Sequence, residues 1–200
     1  MPTSKGTATV SSEARRQRLL EAAMATFLRL GFRKTSMEEV ARAAHISRQG
    51  LYLHFPTKEE LFSAAARHRL DSSLAAAADA LARGATIEER LVGAFDEWAG
   101  RYAGAFAGDV ADLEDAGEHL VGDLIREREE AFVALITKAV RVSGLPAAYK
   151  DARIGARELA ETLNATASGL KHQARSREDF GRRFGIAVRA LCTPLRASQR

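Results

Sequence analysis

One short segment of this sequence groups side chains suited to contacting nucleic acid. Ser47, Arg48 and Gln49 stand at the predicted start of a short helix, and Tyr52 follows one turn later. Side chains in the first turn of a helix can reach base edges while the terminal N–H groups face phosphate. The segment therefore indicates a helix that binds DNA. Helical hairpins of this size also occur as plain packing units, and that alternative stays open here.

The surrounding residues predict the elements that would position this helix. The stretch 35–55 reads as about eight helical residues, a turn of three or four residues, and a second helix, which is the pattern of a helix-turn-helix. Ser36 and Glu39 form a predicted capping box for the first helix, and Ser47 caps the second. Ala41 is small enough to let the two helices cross closely. The apolar residues that anchor them are predicted to be Val40, Ile46 and Leu51.

The charge of the chain is distributed unevenly along its length. Residues 1–70 carry 12 Lys and Arg against 6 Asp and Glu, whereas residues 71–200 carry 18 against 20. A basic N-terminal third followed by a near-neutral remainder favours a polyanion as the partner of that third. The alternative is that the uneven charge distribution arises by chance and reflects no partner.

The sequence as a whole predicts an all-α fold of about nine helices. It shows no sustained apolar–polar alternation, it is rich in alanine, and its four prolines stand where a helix would start or stop. The first helix is expected to start at Ser11 or Ser12 and to end at Gly31. Later helices are predicted at about 57–81, 86–102, 109–116, 119–143, 151–174 and 177–192.

Composition and motifs narrow the class of protein. The single cysteine, Cys192, excludes an internal disulfide framework and fits a reducing cytoplasm, where we expect a buried inert thiol rather than a redox switch. No apolar run reaches the roughly 20 residues that span a bilayer, and no signal peptide is expected. The sequence contains no His-Glu-x-x-His pair, no Gly-x-Ser-x-Gly nucleophile motif, no Walker-type loop and no glycine fingerprint that follows a strand. We therefore expect a cytoplasmic protein that is neither an enzyme nor membrane-bound.

The run from residue 19 to residue 62 closely resembles the DNA-binding domain of TetR-type (tetracycline repressor-like) transcriptional regulators. The matching positions lie at fixed spacing: an Ala-Ala pair followed by Phe27 in the first helix, then Gly31-Phe32, Thr35-Ser36, Val40-Ala41, Ile46-Ser47, Leu51-Tyr52, His54-Phe55, Lys58-Glu59 and Leu61. The resemblance implies a three-helix DNA-binding domain over residues 13–65 and a helical ligand-binding and dimerisation domain over residues 66–200.

The resemblance also implies a role for individual residues. Arg48, Gln49 and Tyr52 occupy the positions that meet the major groove, where arginine can bond guanine and glutamine can bond adenine. The positions that grip phosphates are occupied by Thr35, Ser47, His54 and Lys58. The alternative is that Tyr52 and His54 are packing residues. Arg15, Arg16 and Arg18, on or before the first helix, could add phosphate or minor-groove contacts, with solvated charge as the alternative.

His45 departs from the family pattern, because this turn commonly carries glycine. Histidine is among the residues enriched at positive φ, so we expect the turn to form at some cost. A strained or exposed turn residue is favoured over a sensor.

The resemblance further implies a homodimer joined through the last two long helices. The apolar stripes of those helices supply the predicted interface residues Leu159, Leu163, Phe180, Phe184 and Leu191. Packing within the core of a single chain is the alternative for the same stripes. A dimer is also expected on geometric grounds, because one short recognition helix reads too few base pairs, whereas a two-fold dimer reads a palindromic operator in double-stranded DNA.

A small-molecule effector is expected in an apolar cavity of the second domain. The aromatic candidates for its lining are Phe95, Trp98, Tyr102, Phe106 and Phe132, with ordinary core as the alternative. Arg128 falls on the predicted buried stripe of its helix, so it is expected to pair with a carboxylate of the chain or with an anionic ligand group. A surface arginine is the alternative.

We expect neither a cofactor nor a metal site. Segment 109–130 carries nine acidic residues against Arg126 and Arg128, and a divalent cation at residues 109–119 is the alternative to a solvated acidic surface.

These features together predict a ligand-responsive repressor that acts as a homodimer. A helical scaffold would explain the second domain but not the motif at residues 35–62, and DNA retention at two salt concentrations separates the two classes.

Overall fold

The computed structural model describes residues 5–104 and 110–197, and in this part of the chain every regular element is helical. The nine α-helices are α1 (Lys5–Leu30), α2 (Met37–Ala43), α3 (Arg48–His54), α4 (Lys58–Arg83), α5 (Ile87–Trp98), α6 (Val110–Arg141), α7 (Leu145–Ala148), α8 (Ala156–Gln173) and α9 (Arg177–Ala197). Short 3₁₀ turns occupy Gly100–Tyr102 and Lys150–Ala152. The predicted all-α fold of about nine helices is confirmed. Among these helices, none combines the length and the apolar character that crossing a membrane requires.

The described residues form two units. Residues 5–70 and 110–125 make up the first unit, and residues 71–104 and 126–197 make up the second. The helices α4 and α6 therefore contribute residues to both units. The sequence predicted a single domain after residue 65, whereas the structure groups the first half of α6 with the N-terminal helices. A physical reason is visible at Asp112, whose carboxylate binds the turn between α1 and α2.

The N-terminal helices start and stop where local chemistry dictates. The Ser36 hydroxyl accepts a hydrogen bond from the Glu39 amide while the Glu39 carboxylate accepts one from the Ser36 amide, which completes the predicted capping box of α2. Gly31 ends α1 with φ of 85°, a left-handed conformation that costs glycine little. In the first unit, Phe27, Phe32 and Phe62 pack against one another with ring centroids 5.1–5.8 Å apart.

The second unit packs around a different aromatic cluster. Phe95 of α5 lies edge-on to Phe132 of α6 and 4.6 Å from Phe184 of α9, measured between ring centroids. The Phe180 and Phe184 rings stack one turn apart on α9. Aromatic packing of this kind joins α5, α6 and α9, and apolar residues of α8 complete the core.

The helices α6 and α9 differ from the prediction. The expected helices at 109–116 and 119–143 are a single α6 with non-helical φ and ψ of −142° and 17° at Val121, so the break predicted there is a kink. Pro194 was expected at a helix end but lies inside α9. Proline removes one helical hydrogen bond. The lost bond is the one to the Ala190 carbonyl. Close to it, the Thr193 hydroxyl donates to the Arg189 carbonyl and the Tyr149 hydroxyl donates to the Leu191 carbonyl at 2.8 Å.

Candidate nucleic-acid interface

The helix α3 has one buried face and one exposed face. Leu51 is fully buried in the first unit, and Phe55 closes the helix from another buried position. Arg48 and Gln49 are exposed in the first turn of the helix, where their polar ends are available to a ligand. Leu51 and Phe55 were expected in the core rather than at a contact, and the structure confirms this.

Tyr52 and Leu53 extend the exposed face of α3. Tyr52 is 40% exposed, and the Arg48 guanidinium lies over its ring, 5.6 Å from the centroid. This cation–π contact holds the arginine against the helix and restricts its orientation. Leu53 is 81% exposed, although no role was predicted for it from the sequence. The signal was available, since a residue two positions after the buried Leu51 lies on the opposite side of a helix.

Ser47 and His54 are exposed at the two ends of α3. The Ser47 hydroxyl accepts a hydrogen bond from the Gly50 amide at 3.0 Å, which confirms the predicted cap. The preceding residues form the expected tight turn, in which His45 has φ of 55°. The left-handed conformation anticipated for this histidine is therefore present, and the Ile46 amide closes the turn on the Ala41 carbonyl.

The other two residues predicted to contact phosphate are held by the turn that joins α1 to α2. Thr35 is buried, and its hydroxyl donates to the Gly31 carbonyl at 2.6 Å. The Lys58 ammonium donates to the Phe32 carbonyl at 3.0 Å and lies 4.5 Å from the centroid of the Phe32 ring. Both side chains thus fix the turn between α1 and α2, whereas Ser47 and His54 face solvent.

The arrangement in the first unit is a helix-turn-helix whose second helix exposes an arginine, a glutamine, a tyrosine and a leucine. The sequence model of the family described as bacterial regulatory proteins, tetR family, matches residues 19–65, which are the residues that build this arrangement. Residues 19–65 are therefore similar to the regulators of the TetR family. The resemblance seen in the sequence is therefore confirmed.

Curated relatives match only part of the chain. The HTH-type transcriptional regulator RutR of Escherichia coli K12 is 40% identical over 62 residues, which are 31% of this chain and 29% of RutR. The HTH-type transcriptional repressor KstR2 of Mycobacterium tuberculosis is 39% identical over 82 residues, 41% of each chain. The matches thus span less than half the length of these relatives.

Solved structures share the fold over most of the chain. A protein from Saccharomonospora viridis, solved in complex with choline, superimposes with a TM-score of 0.61 at 22% identity. The superposition covers 88% of this chain and 95% of that one. The likeness therefore extends the shared fold through the second unit, beyond the segment in which the sequences agree.

Three of the predicted pocket residues, Phe95, Trp98 and Phe132, pack against one another in the second unit. Phe95 and Phe132 are fully buried, and Trp98, which is partly exposed, stacks on Phe132 with ring centroids 4.5 Å apart. Tyr102 is also partly exposed, and its hydroxyl is hydrogen-bonded to Ser73 of α4 at 3.1 Å. Phe106 lies outside the described residues. Two surface cavities, of about 540 Å³ and 400 Å³, can be described in this unit, and neither is lined by these aromatic residues.

Arg128 is paired within the second unit. Its Nε donates to the Asp71 carboxylate at 2.6 Å, and another guanidinium nitrogen donates to Glu127 at 2.7 Å. The hydrogen bond to Asp71 is the main cause that raises the pKa of Arg128. The expected carboxylate partner is therefore present, but the side chain is partly exposed rather than buried. An anionic ligand would have to compete with Asp71 for the guanidinium.

The stripes predicted to join two copies of the chain lie mostly inside one copy. Leu159, Leu163, Phe180 and Phe184 have at most 4% of their surface exposed in the single chain. Side chains without exposed surface cannot bury more of it against a partner, so these four are corrected to core residues. Leu191 retains part of its surface.

The remaining titratable candidates do not gather into a site in the described residues. Within residues 5–104 and 110–197, no group of three or more His, Cys, Asp and Glu side chains is arranged to hold a metal ion. Residue 109 of the acidic segment lies outside that range. Cys192 is buried in the core of the second unit.

Proposed function

We propose that this chain is a DNA-binding transcriptional regulator, a repressor that binds a palindromic operator as a homodimer and is released by a small-molecule effector. The observation that carries the proposal is the exposed face of α3. A helix fixed in the domain by a fully buried Leu51 presents Arg48, Gln49, Tyr52 and Leu53 to solvent. A regulator without catalytic activity accounts for this face, whereas a scaffold protein does not.

Each exposed side chain of α3 suits a different part of a base pair in the major groove. Arg48 would bond O6 and N7 of guanine, and Gln49 would bond N6 and N7 of adenine. Leu53 supplies the apolar contact that recognises the methyl group of thymine. Tyr52 both contacts the groove and holds the Arg48 guanidinium in place. These residues would therefore specify a half-site of the operator.

The phosphate contacts divide into direct and indirect ones. The exposed Ser47 and His54 would bond phosphates on either side of the reading face. Thr35 and Lys58 would act through the turn between α1 and α2, which they hold in position. The side chain of Arg33 in that turn is 80% exposed and would place a further cation beside the DNA backbone.

A homodimer follows from the requirement to read two half-sites about 34–36 Å apart. The faces of α8 and α9 that remain exposed in one chain support it. Ala165 and Gly169 of α8 are exposed, and a Cβ atom at Gly169 would meet no atom within 4 Å. On α9, Ile186 is 57% exposed, and Leu191 retains part of its surface. Small and apolar residues at these positions would let the paired helices of two copies approach closely.

The effector is assigned to the second unit, beside the exposed edges of Trp98 and Tyr102. Phe95 and Phe132 would form the floor of that site from inside the core. The Tyr102 hydroxyl contacts Ser73 of α4, and α4 continues into the first unit. An effector that binds better when this contact is broken would displace α4 and change the spacing of the recognition helices. The related fold from Saccharomonospora viridis is known in complex with a small molecule, choline.

Selection of genomic DNA fragments by the purified protein tests the proposal. Footprinting of the retained fragments over a salt series should show a protected palindrome with half-sites one helical turn apart. Arg48→Ala and Gln49→Ala should each weaken binding to that site about tenfold to a hundredfold and relax the base preference at one position, since each bidentate pair contributes about 1–3 kcal/mol of discrimination. Failure to retain any fragment at low salt would contradict the proposal.

A further inference from the structure

A surface cavity of about 540 Å³ lies where α8 ends and α9 begins, in the second unit. Its lining consists of three arginines, one amide and one carboxylate: Arg175, Arg182, Arg183, Gln173 and Asp179. Three positive charges against one negative charge leave this lining with a net charge of +2. The volume falls within the range of about 300–1,000 Å³ that is typical of cavities for small molecules. None of the aromatic residues assigned to the effector lines this cavity.

The connection between α8 and α9 has a fixed conformation. The Asp179 carboxylate accepts a hydrogen bond from the Arg175 amide at 3.2 Å, and the Ser176 hydroxyl accepts one from the Asp179 amide at 3.1 Å. Ala174 and Phe180 anchor the two sides of the connection from buried positions. A ligand would therefore meet a preformed cavity and would not have to order this segment when it binds.

The arginines of this cavity share one carboxylate. Within the described residues, Asp179 is the acid that pairs with Arg182 and with Arg183, in the second case with 3.8 Å between Nη1 and Oδ2. Arg175 reaches the same carboxylate through its backbone amide, and its side chain is exposed. The negative charge of Asp179 therefore cannot balance the three guanidinium groups around it.

Other arginines of the second unit are balanced differently. Three of them each contact two carboxylates: Arg128 contacts Asp71 and Glu127, Arg157 contacts Glu130 and Glu161, and Arg177 contacts Asp96 and Glu97. Like charges that are held together repel one another and destabilise the compact state. A bound anion would relieve this repulsion in the cavity.

The charge of the lining favours a phosphate monoester. Guanidinium groups bind phosphate through paired hydrogen bonds. A phosphate monoester carries about −1.5 to −2 charges at pH 7, which matches the excess charge of the lining, whereas each phosphate of DNA carries one charge. The Gln173 Oε1 accepts a hydrogen bond from Arg183 at 3.3 Å, so the amide nitrogen of Gln173 is the group that would donate to a hydroxyl of the ligand.

We propose that the cavity between α8 and α9 binds a small phosphate monoester that carries hydroxyl groups, such as a sugar phosphate. Arg175 and Arg182 would bond the phosphate oxygens, and Arg183 would complete the site from the position in which Asp179 and Gln173 hold it. Such a site is separate from the effector site beside Trp98 and Tyr102, and it is independent of the proposed DNA binding.

The cavity borders the surface that is proposed to join two copies of the chain. Arg182 lies four residues before Ile186 on α9, so the two residues share a face of that helix. A second copy that covered Arg182 would exclude a ligand from the cavity. Binding is therefore measured on the full chain in the oligomeric state that it adopts in solution.

Isothermal titration calorimetry with glucose 6-phosphate tests the proposal, and inorganic phosphate is the minimal probe. The parent protein should bind glucose 6-phosphate more tightly than glucose 6-sulfate, which carries one charge, and should not bind glucose. Arg175→Gln combined with Arg182→Gln should weaken the binding of glucose 6-phosphate about tenfold or more, because each arginine supplies a hydrogen bond between charged groups. Both side chains are exposed, so circular dichroism melts should show that this variant is folded.

A matched pair of substitutions controls for net charge. Lys138 and Arg141 are exposed on α6, so Lys138→Gln with Arg141→Gln removes the same charge elsewhere in the second unit and should leave binding unchanged. A parent protein that binds neither phosphate probe, or an equal loss of affinity in the two double variants, would overturn the proposal.

Two further outcomes would reassign the arginines. A larger effect of Arg175→Gln with Arg182→Gln on binding to a random-sequence duplex than on binding to glucose 6-phosphate would assign them to nucleic acid. A change from dimer to monomer in this variant, with no phosphate binding by the parent, would assign them to the contact between two copies. Both outcomes would overturn the proposed site, whereas a failure to retain genomic DNA fragments would overturn only the proposed function.

Discussion

The carboxylate of Asp112 on α6 accepts a hydrogen bond from the backbone amide of Arg33 at 2.9 Å, across 79 positions of sequence. A second oxygen of the same carboxylate lies 3.2 Å from the Arg33 Nε. The Asp112 side chain is buried, whereas the Arg33 side chain is largely exposed. The same turn is also held by Lys58, which donates to the Phe32 carbonyl. Asp112 and Lys58 therefore both fix the turn between α1 and α2.

Replacing Asp112 tests how strongly α6 stabilises that turn. Asp112→Ala should lower the free energy of unfolding by about 1.5–3 kcal/mol, because it removes a hydrogen bond to a charged group and leaves the Arg33 amide without its acceptor. Asp112→Asn keeps an acceptor oxygen and should cost less. Urea denaturation measures both, with Asp115→Ala, an exposed acid of the same helix, as the control. Equal losses for Asp112→Ala and Asp115→Ala would contradict the role of this bond.

Two leucines on α3 should separate folding from recognition. Leu51→Ala removes a fully buried side chain, so it should cost about 2–5 kcal/mol of stability and abolish DNA binding through unfolding. Leu53→Ala removes one that is 81% exposed and should leave the thermal midpoint nearly unchanged. The same variant should weaken binding to the selected fragment and lose preference for thymine at one position. A Leu53→Ala protein that binds like the parent would exclude Leu53 from the interface.

The N-terminal helices could be predicted because their determinants are local. The capping box of Ser36 and Glu39, the cap of Ser47 and the positive φ of His45 all depend on residues within a few positions. The exposed face of α3 followed from the same periodicity, and Leu53 could have been found by it. Patterns of this range are readable in a sequence before any tertiary contact is known.

The second unit was harder to predict because its determinants are distant. An apolar stripe indicates that residues such as Leu163 and Phe184 are buried, but not whether the same chain or a second copy covers them. The continuation of α9 through Pro194 is accompanied by the Tyr149 hydroxyl, 42 residues away from its acceptor Leu191. The first half of α6 contacts the turn between α1 and α2 through Asp112, which is 79 residues away from its partner Arg33. Pairings across such distances leave no periodic signal.

An exposed isoleucine on α9 tests the proposed dimer. Ile186→Glu should shift the protein from dimer to monomer, because it would place a carboxylate in an apolar contact between two copies. The folded chain should remain intact, since Ile186 is more than half exposed in a single copy. Sedimentation velocity measures the mass, and Val142→Glu, a change at an even more exposed aliphatic residue, is the control. The same monomer fraction in both variants, or a monomeric parent, would contradict this interface.

The ion pairs between α5 and α9 should make stability depend on acid pH. Burial acts to raise the pKa of Glu97, but hydrogen bonds from Arg177 and Arg101 outweigh it, so the pKa lies below the ordinary value of 4.5. Stabilisation by a carboxylate whose pKa is lowered on folding is fully present above the pKa of the unfolded chain and is lost as pH falls through the lower, folded value. Glu97→Gln, which keeps the size and one acceptor, should therefore destabilise the protein by about 1 kcal/mol at pH 7. The difference from the parent should shrink as the pH falls below about 4.5. Urea denaturation at several pH values measures this, with Glu178→Gln on the exposed surface of α9 as the control. If the difference in unfolding free energy between the parent and Glu97→Gln stayed constant from pH 7 to the lowest pH at which the protein folds, the ionised form of Glu97 would be excluded as the source of that difference.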